Sequence, residues 1–536
     1  MALAESSKKR RKRKKKRKKK QPATAPQPAA PRYKHTTGWD DSAGDGLVRE
    51  IYEWVSSPPT DTPPPRPLPQ AQNPPAPAAA QPWSAYPYDG PFGRVQAKRL
   101  LDRAGFGPKP GQALEFAQLG LDTAVSVLTN PIGDQLVGPE PTDDDGNPLA
   151  PTDAYGHDHL WWLDRMVRAY SPLPERMALI FHDWFATSNA GVDNAQHMID
   201  QSNLFRNRAL GSFLQLTLDV TIDPAMLVWL NGNENRRQAP NENYARELME
   251  LFTLGADRHV DLGTDAYTED DIREAAKALT GWRNDWSSEL GNYNFRFDPN
   301  RHSNANKTIF GQTANWNWND VPRLCLENPA HPSFFVKKLW SYFIPQPPHA
   351  STQAALETMY TSNAYAIKPV VEAILKHPDF YEGPPMVKPP VVYLASLLRA
   401  LGRGIDTEDW TWLCDMAGQQ LYWPPNVSGW DDNRWLDTSR MRARWLMITY
   451  ALEDRYFDPW SGPDYDPTEA PGPALDSALA AFDYPPLRVQ QQDELLRLSQ
   501  HALDGASAGW QQSPYRSMRQ NALRQLIAIS PDLLLA

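Results

Sequence analysis

Four side chains carry the chemistry this sequence could perform: His182, Asp183, Glu247 and His302, with Lys307 or Arg246 to position an anion. Imidazoles and carboxylates together suit a divalent metal, which makes these four the candidate ligands and a divalent metal the candidate cofactor. A carboxylate–histidine pair equally suits general acid–base work, so His182, Asp183, Glu247, His302 and Lys307 are also the catalytic candidates. No HExxH or comparably strong ligand spacing accompanies them. His182 and Asp183 are adjacent, so on a helix they point about 100° apart. The competing reading is a set of buried polar groups that satisfy one another and hold helices in register. Glu247 sits beside an apolar stripe, where a buried carboxylate needs a partner; Arg246, Arg273 and Lys277 are the bases in range.

The aromatic residues offer a different chemistry. Of the 20 tryptophans, 17 follow residue 90. Flat aromatic faces stack on pyranose rings, and Trp316, Trp318, Trp423, Trp430 and Trp435 fall in expected loops, which would suit a surface polysaccharide binder. Trp161, Trp184, Trp229 and Trp340 instead fit helix-packing positions. The polysaccharide reading requires exposed faces at Trp316, Trp318 and Trp423.

Helices must position these residues. Residues 241–254 read as a helix with Asn241 as cap, an apolar stripe of Tyr244, Leu248, Leu251 and Phe252, and Gly255 as stop. Glu242, Arg246 and Glu250 are spaced four apart and can pair on its outer face. Residues 269–282 read as a second helix, capped by Thr268 with Asp271 completing a capping box. Residues 173–188 form another, with Pro174 in its first turn. The apolar stretch 204–230 breaks and restarts at Asp223-Pro224. Alternation at Tyr293, Phe295 and Phe297 predicts a small hairpin or loop insertion near 290–320. The expected fold is mainly α: one large multi-helix domain over 92–455, a linker over 456–485 and a helical appendage over 486–536.

Ahead of the core stands a leader. Residues 8–20 are all Lys or Arg, thirteen positive charges that cannot collapse together. Sixteen prolines lie between residues 21 and 90, so residues 21–91 read as a disordered, Pro-rich spacer with a short helix at 47–55. The net charge of −9 hides an acidic body: outside residues 1–20 the chain carries −21. The basic run predicts sequence-independent, salt-sensitive binding to an anionic partner, nucleic acid or lipid. Cys325 and Cys414 stand far apart and suggest neither a disulfide framework nor a thiolate metal site. No apolar run is long enough to span a membrane, and no apolar stretch follows the basic run as a secretory signal would require.

Several blocks carry a resemblance. Pro240-Asn241-Glu242-Asn243-Tyr244-Ala245-Arg246-Glu247-Leu248-Met249-Glu250-Leu251-Phe252-Thr253-Leu254-Gly255 is followed by Tyr267-Thr268-Glu269-Asp270-Asp271-Ile272 and Ala278-Leu279-Thr280-Gly281-Trp282. Arg103-Ala104-Gly105-Phe106-Gly107 and Asp223-Pro224-Ala225-Met226-Leu227 precede them, and Pro424-Pro425-Asn426-Val427-Ser428-Gly429-Trp430 follows. In this order, over roughly 92–450, they resemble the bacterial domain of unknown function 1800 family. Its signature falls here on Asn241, Glu242, Asn243, Arg246, Glu247, Glu250, Trp282, Asn426, Gly429 and Trp430. The chain departs from the pattern twice: Trp184 stands where a second histidine is common, and Ser303 where an aspartate is usual. The resemblance implies export or envelope association and a sulfatase-like partner of the domain of unknown function 1501 family. It implies no reaction. The leading expectation is therefore a non-catalytic assembly or interaction factor, with a metal-dependent hydrolase and a surface polysaccharide binder as alternatives.

Overall fold

The computed structural model describes residues 87–256, 265–452, 469–505 and 513–536. The basic run, the Pro-rich spacer and the expected helix at 47–55 lie outside the described residues. Among those described, helices dominate, and strands amount to two small two-stranded antiparallel sheets. No described helix is long and apolar enough to cross a membrane.

The local signals explain much of this. Asp223 ends one helix and caps the next: it accepts from the Met226 amide, and Pro224 fills the first turn of Pro224–Trp229. Thr268 and Asp271 form the capping box of Glu269–Ala278. The Pro172–Trp184 helix ends four residues earlier than the sequence suggests; the chain turns away after Phe185, and Asn189 donates its amide to the Tyr422 carbonyl.

Two departures matter for the site. The helix expected over 241–254 is α only across Asn243–Glu247; Leu248–Thr253 widens into a π-helix. The helix expected to reach Trp282 stops short, because Gly281 adopts φ +122° and lies under the Phe297 ring. Any Cβ there would strike that ring. Trp282 consequently opens a strand, Trp282–Ser287, paired with Gly291–Phe297. A second hairpin pairs Lys307–Ile309 with Gln312–Ala314.

The core is continuous from Tyr88 to Leu534. Trp162, Trp184, Trp340 and Trp410 are fully buried in it. Trp161 and Trp229 pack against it half-buried. Buried arginines bind backbone carbonyls where chain segments meet. Arg103 donates to the carbonyls of Phe343, Phe380, Pro384 and Ala536, and Arg399 to those of Gly107, Val167 and Ala169. Burial pushes both guanidinium groups down, to about 9 and about 10. The segment expected as a linker contains the helix Pro471–Ala480, and the C-terminal residues pair with Met386 and Lys388 of the core. Cys325 and Cys414 are both buried and free.

Candidate functional site

His182 and Asp183 project from the last turn of the Pro172–Trp184 helix toward the loop 418–437. His182 Nε2 accepts the Tyr422 amide at 3.2 Å. Its ring lies among Trp162, Tyr422 and Trp430, with centroids 5.2–5.7 Å away. Burial pushes its pKa down to about 3, so the ring is neutral and able to accept. Asp183 Oδ1 accepts the Trp430 amide at 2.9 Å, and Oδ2 accepts the Tyr342 hydroxyl at 2.8 Å. Burial raises the Asp183 pKa against the effect of these two donors. A third acceptor joins from the His157–Arg168 helix: His159 Nδ1 takes the Leu421 amide at 2.9 Å, and burial brings its pKa down to about 3. Three side chains from two helices thus hold three backbone amides of one loop.

The signature residues of that loop serve the same docking. Asn426 accepts from the amides of Ser428 and Gly429 and closes a turn. Gly429, at φ +85°, passes directly over Asp183; a Cβ there would stand 2.2 Å from Oδ1. Only glycine allows the next amide, that of Trp430, to reach the carboxylate.

The neighbouring π-helix meets the same region. Widening the helix displaces its last carbonyls from their ordinary partners. Trp184 Nε1 donates to the Phe252 carbonyl at 3.1 Å, His331 Nδ1 bonds the Thr253 carbonyl at 2.8 Å, and Lys338 Nζ donates to the Leu251 carbonyl at 3.3 Å. Trp184 therefore supplies a donor, and its ring packs among Phe185, Phe213, Phe335 and Tyr342. The Lys338 ammonium lies 5.2 Å over the Trp184 ring, and burial pushes its pKa down to about 8.

The remaining candidates lie elsewhere. His302 is buried beside Phe297, with Nδ1 bonded to the Thr280 carbonyl at 2.8 Å and its pKa lowered by burial. Ser303 donates its amide to the Thr280 hydroxyl. Lys307 is fully buried, and its ammonium donates to the Ser303 and Trp316 carbonyls and to Asn315 Oδ1. It is the tie that closes the second hairpin loop. Glu247 is half-buried and its pKa is raised, first by burial and then by Glu250. It forms an ion pair with none of the three bases expected for it. Arg246 instead bonds Glu242, Glu250 and, in a two-pronged contact, Glu269; Arg273 and Lys277 pair with Asp270 and Glu274.

The expected metal set consequently does not assemble. Among the described residues, no group of three or more His, Cys, Asp or Glu side chains is placed to hold a metal ion. His182 would have to surrender the Tyr422 amide before Nε2 could bind one. The loop tryptophans are engaged as well. Trp316 donates to the Gln312 carbonyl under Arg323, Trp318 packs edge-on against Trp282, and Trp423 does so against Tyr155.

Sequence reasoning missed His159, His331, Lys338 and Tyr342. Lys338 and Tyr342 stand four apart on one helical face, a visible spacing, but nothing local marks that face as the one turned to Asp183. It also missed an open groove of about 890 Å³ whose wall includes the signature residues Asn241 and Glu242.

No curated protein and no solved structure matches the chain. A family model does, over residues 99–535, and so takes in the C-terminal helices as well as the signature blocks. The chain belongs to the family described as Protein of unknown function (DUF1800).

Proposed function

We propose that the protein is a non-catalytic assembly or interaction factor, working at the cell envelope with a sulfatase-like partner of the domain of unknown function 1501 family. One observation carries the non-catalytic part: His182 and Asp183, the side chains best suited to acid–base or metal chemistry, accept backbone amides of a neighbouring loop. A general base or metal ligand needs that lone pair for its substrate or metal. The partner follows from the family resemblance. The basic run at 8–20 would add a sequence-independent hold on nucleic acid or anionic lipid, weakened by salt.

The test is co-expression of the full chain with that partner and purification through the partner. A stable complex that persists in salt sufficient to screen the basic run is the expected result. Failure to co-purify would contradict the proposal.

A further inference from the structure

The groove beside the first hairpin has the composition of a site for hydroxyl-rich ligands. Its volume of about 890 Å³ lies within the ~300–1,000 Å³ usual for small-ligand clefts, but those are mostly apolar. This one is lined by four asparagines, two arginines, two glutamates and a single aromatic ring, Trp286. Trp286 is 68% exposed, and Asn292 stands opposite it across the hairpin.

The amides form a directed relay. Asn233 Nδ2 donates to Asn284 Oδ1 at 2.8 Å, and Asn284 Nδ2 donates to Asn292 Oδ1 at 2.6 Å. The relay has two open ends among the described residues: the acceptor Asn233 Oδ1 and the donor Asn292 Nδ2. Such a chain polarises along its length, which strengthens whatever bonds form at its ends. A hydroxyl, both donor and acceptor, complements either end. The backbone that carries the relay is anchored at both ends, by His197 from outside the groove and by Arg301 from its wall. His197 Nε2 bonds the Asn292 carbonyl at 2.8 Å, and Arg301 donates to the Asn233 carbonyl at 3.2 Å.

The charges narrow the ligand class. Arg236 and Arg301 are balanced by Glu234 and Glu242, so the lining offers no net attraction for a phosphate backbone. Protein–protein interface cores are depleted of charged residues, whereas this lining is rich in them. We infer that this groove binds a neutral pyranose oligosaccharide, one ring stacked on Trp286 and its hydroxyls bonded to the Asn233–Asn284–Asn292 relay. The site is distinct from the loop tryptophans and does not depend on the sulfatase-like partner.

The test uses labelled full-length protein on an array of neutral and acidic pyranose oligosaccharides, followed by titration of the ligands retained. Binding to neutral members is expected, about tenfold weaker in Trp286→Ala and weakened in Asn284→Ala. Trp445→Ala, removing a ring 43% exposed on the Thr438–Leu452 helix, should leave it unchanged. Three outcomes would overturn the inference: no neutral ligand retained, retention of acidic ligands alone that salt abolishes, or binding indifferent to Trp286→Ala. Loss of partner co-purification in Trp286→Ala without any glycan binding would also overturn it, because the groove would then be a protein interface.

Discussion

At the scale of the residue, His182 and Asp183 act as acceptors for a loop. Asp183→Ala leaves the Trp430 amide and the Tyr342 hydroxyl without their partner. Chemical unfolding should record a loss of about 2–4 kcal/mol, and a smaller loss for Asp183→Asn, which keeps one acceptor oxygen. His182 adds a pH signature. Its pKa falls from 6.5 to about 3 on folding, so below pH 6.5 the unfolded chain binds a proton that the folded chain refuses. The stability tied to neutral His182 is therefore present above pH 6.5 and lost as pH falls toward about 3. Asp158, Asp164 and Asp223 are displaced upward, to about 6, 6 and 7, and act in the opposite direction over an overlapping range. The informative comparison is hence the single variant His182→Gln, which can still accept an amide. Its stability relative to the unaltered protein should improve by about 1.4 kcal/mol per pH unit between pH 6 and 4. A constant difference across that range would mean that His182 is not buried neutral.

At the scale of the element, the π-helix sets how much could be read in advance. The Thr268–Asp271 capping box and the Asp223–Pro224 restart were legible because their partners lie within three residues. The pairing of Arg246 with Glu242 and Glu250 was legible because they stand four residues apart, on one face of a helix. The widening at Leu248–Thr253 was not, since the groups that take up its carbonyls come from residues 184, 331 and 338. The site candidates met the same limit. His182 could be recognised as a polar group in an apolar helix, but what faced it, the Tyr422 amide, lay 240 residues away. Trp184→Phe tests the π-helix directly, because it keeps most of the ring and removes the donor to the Phe252 carbonyl. We expect a cost of about 1–3 kcal/mol by urea unfolding. No measurable change would mean that the wide turn does not need this donor.

At the scale of the whole molecule, the sequence foretold a helical core but not how the C-terminal segment joins it. The last residues pair with Met386 and Lys388, and Arg103 donates to the Ala536 carbonyl oxygen. These contacts join residues more than a hundred positions apart, beyond any periodicity. Deleting residues 531–536 should therefore destabilise the core by several kcal/mol, on the order of one for each backbone hydrogen bond lost. An unchanged denaturation midpoint would make the C-terminal segment a separable appendage.

In the proposed reading the lone pairs of His182 and Asp183 are committed to backbone amides of a loop and not to a metal. Amide hydrogen exchange across residues 420–431 tests it most directly. Slow exchange is expected at Leu421, Tyr422 and Trp430, unaffected by a chelator and accelerated at Trp430 by Asp183→Ala. Unchanged exchange in that variant, or acceleration by chelator in the unaltered protein, would contradict it.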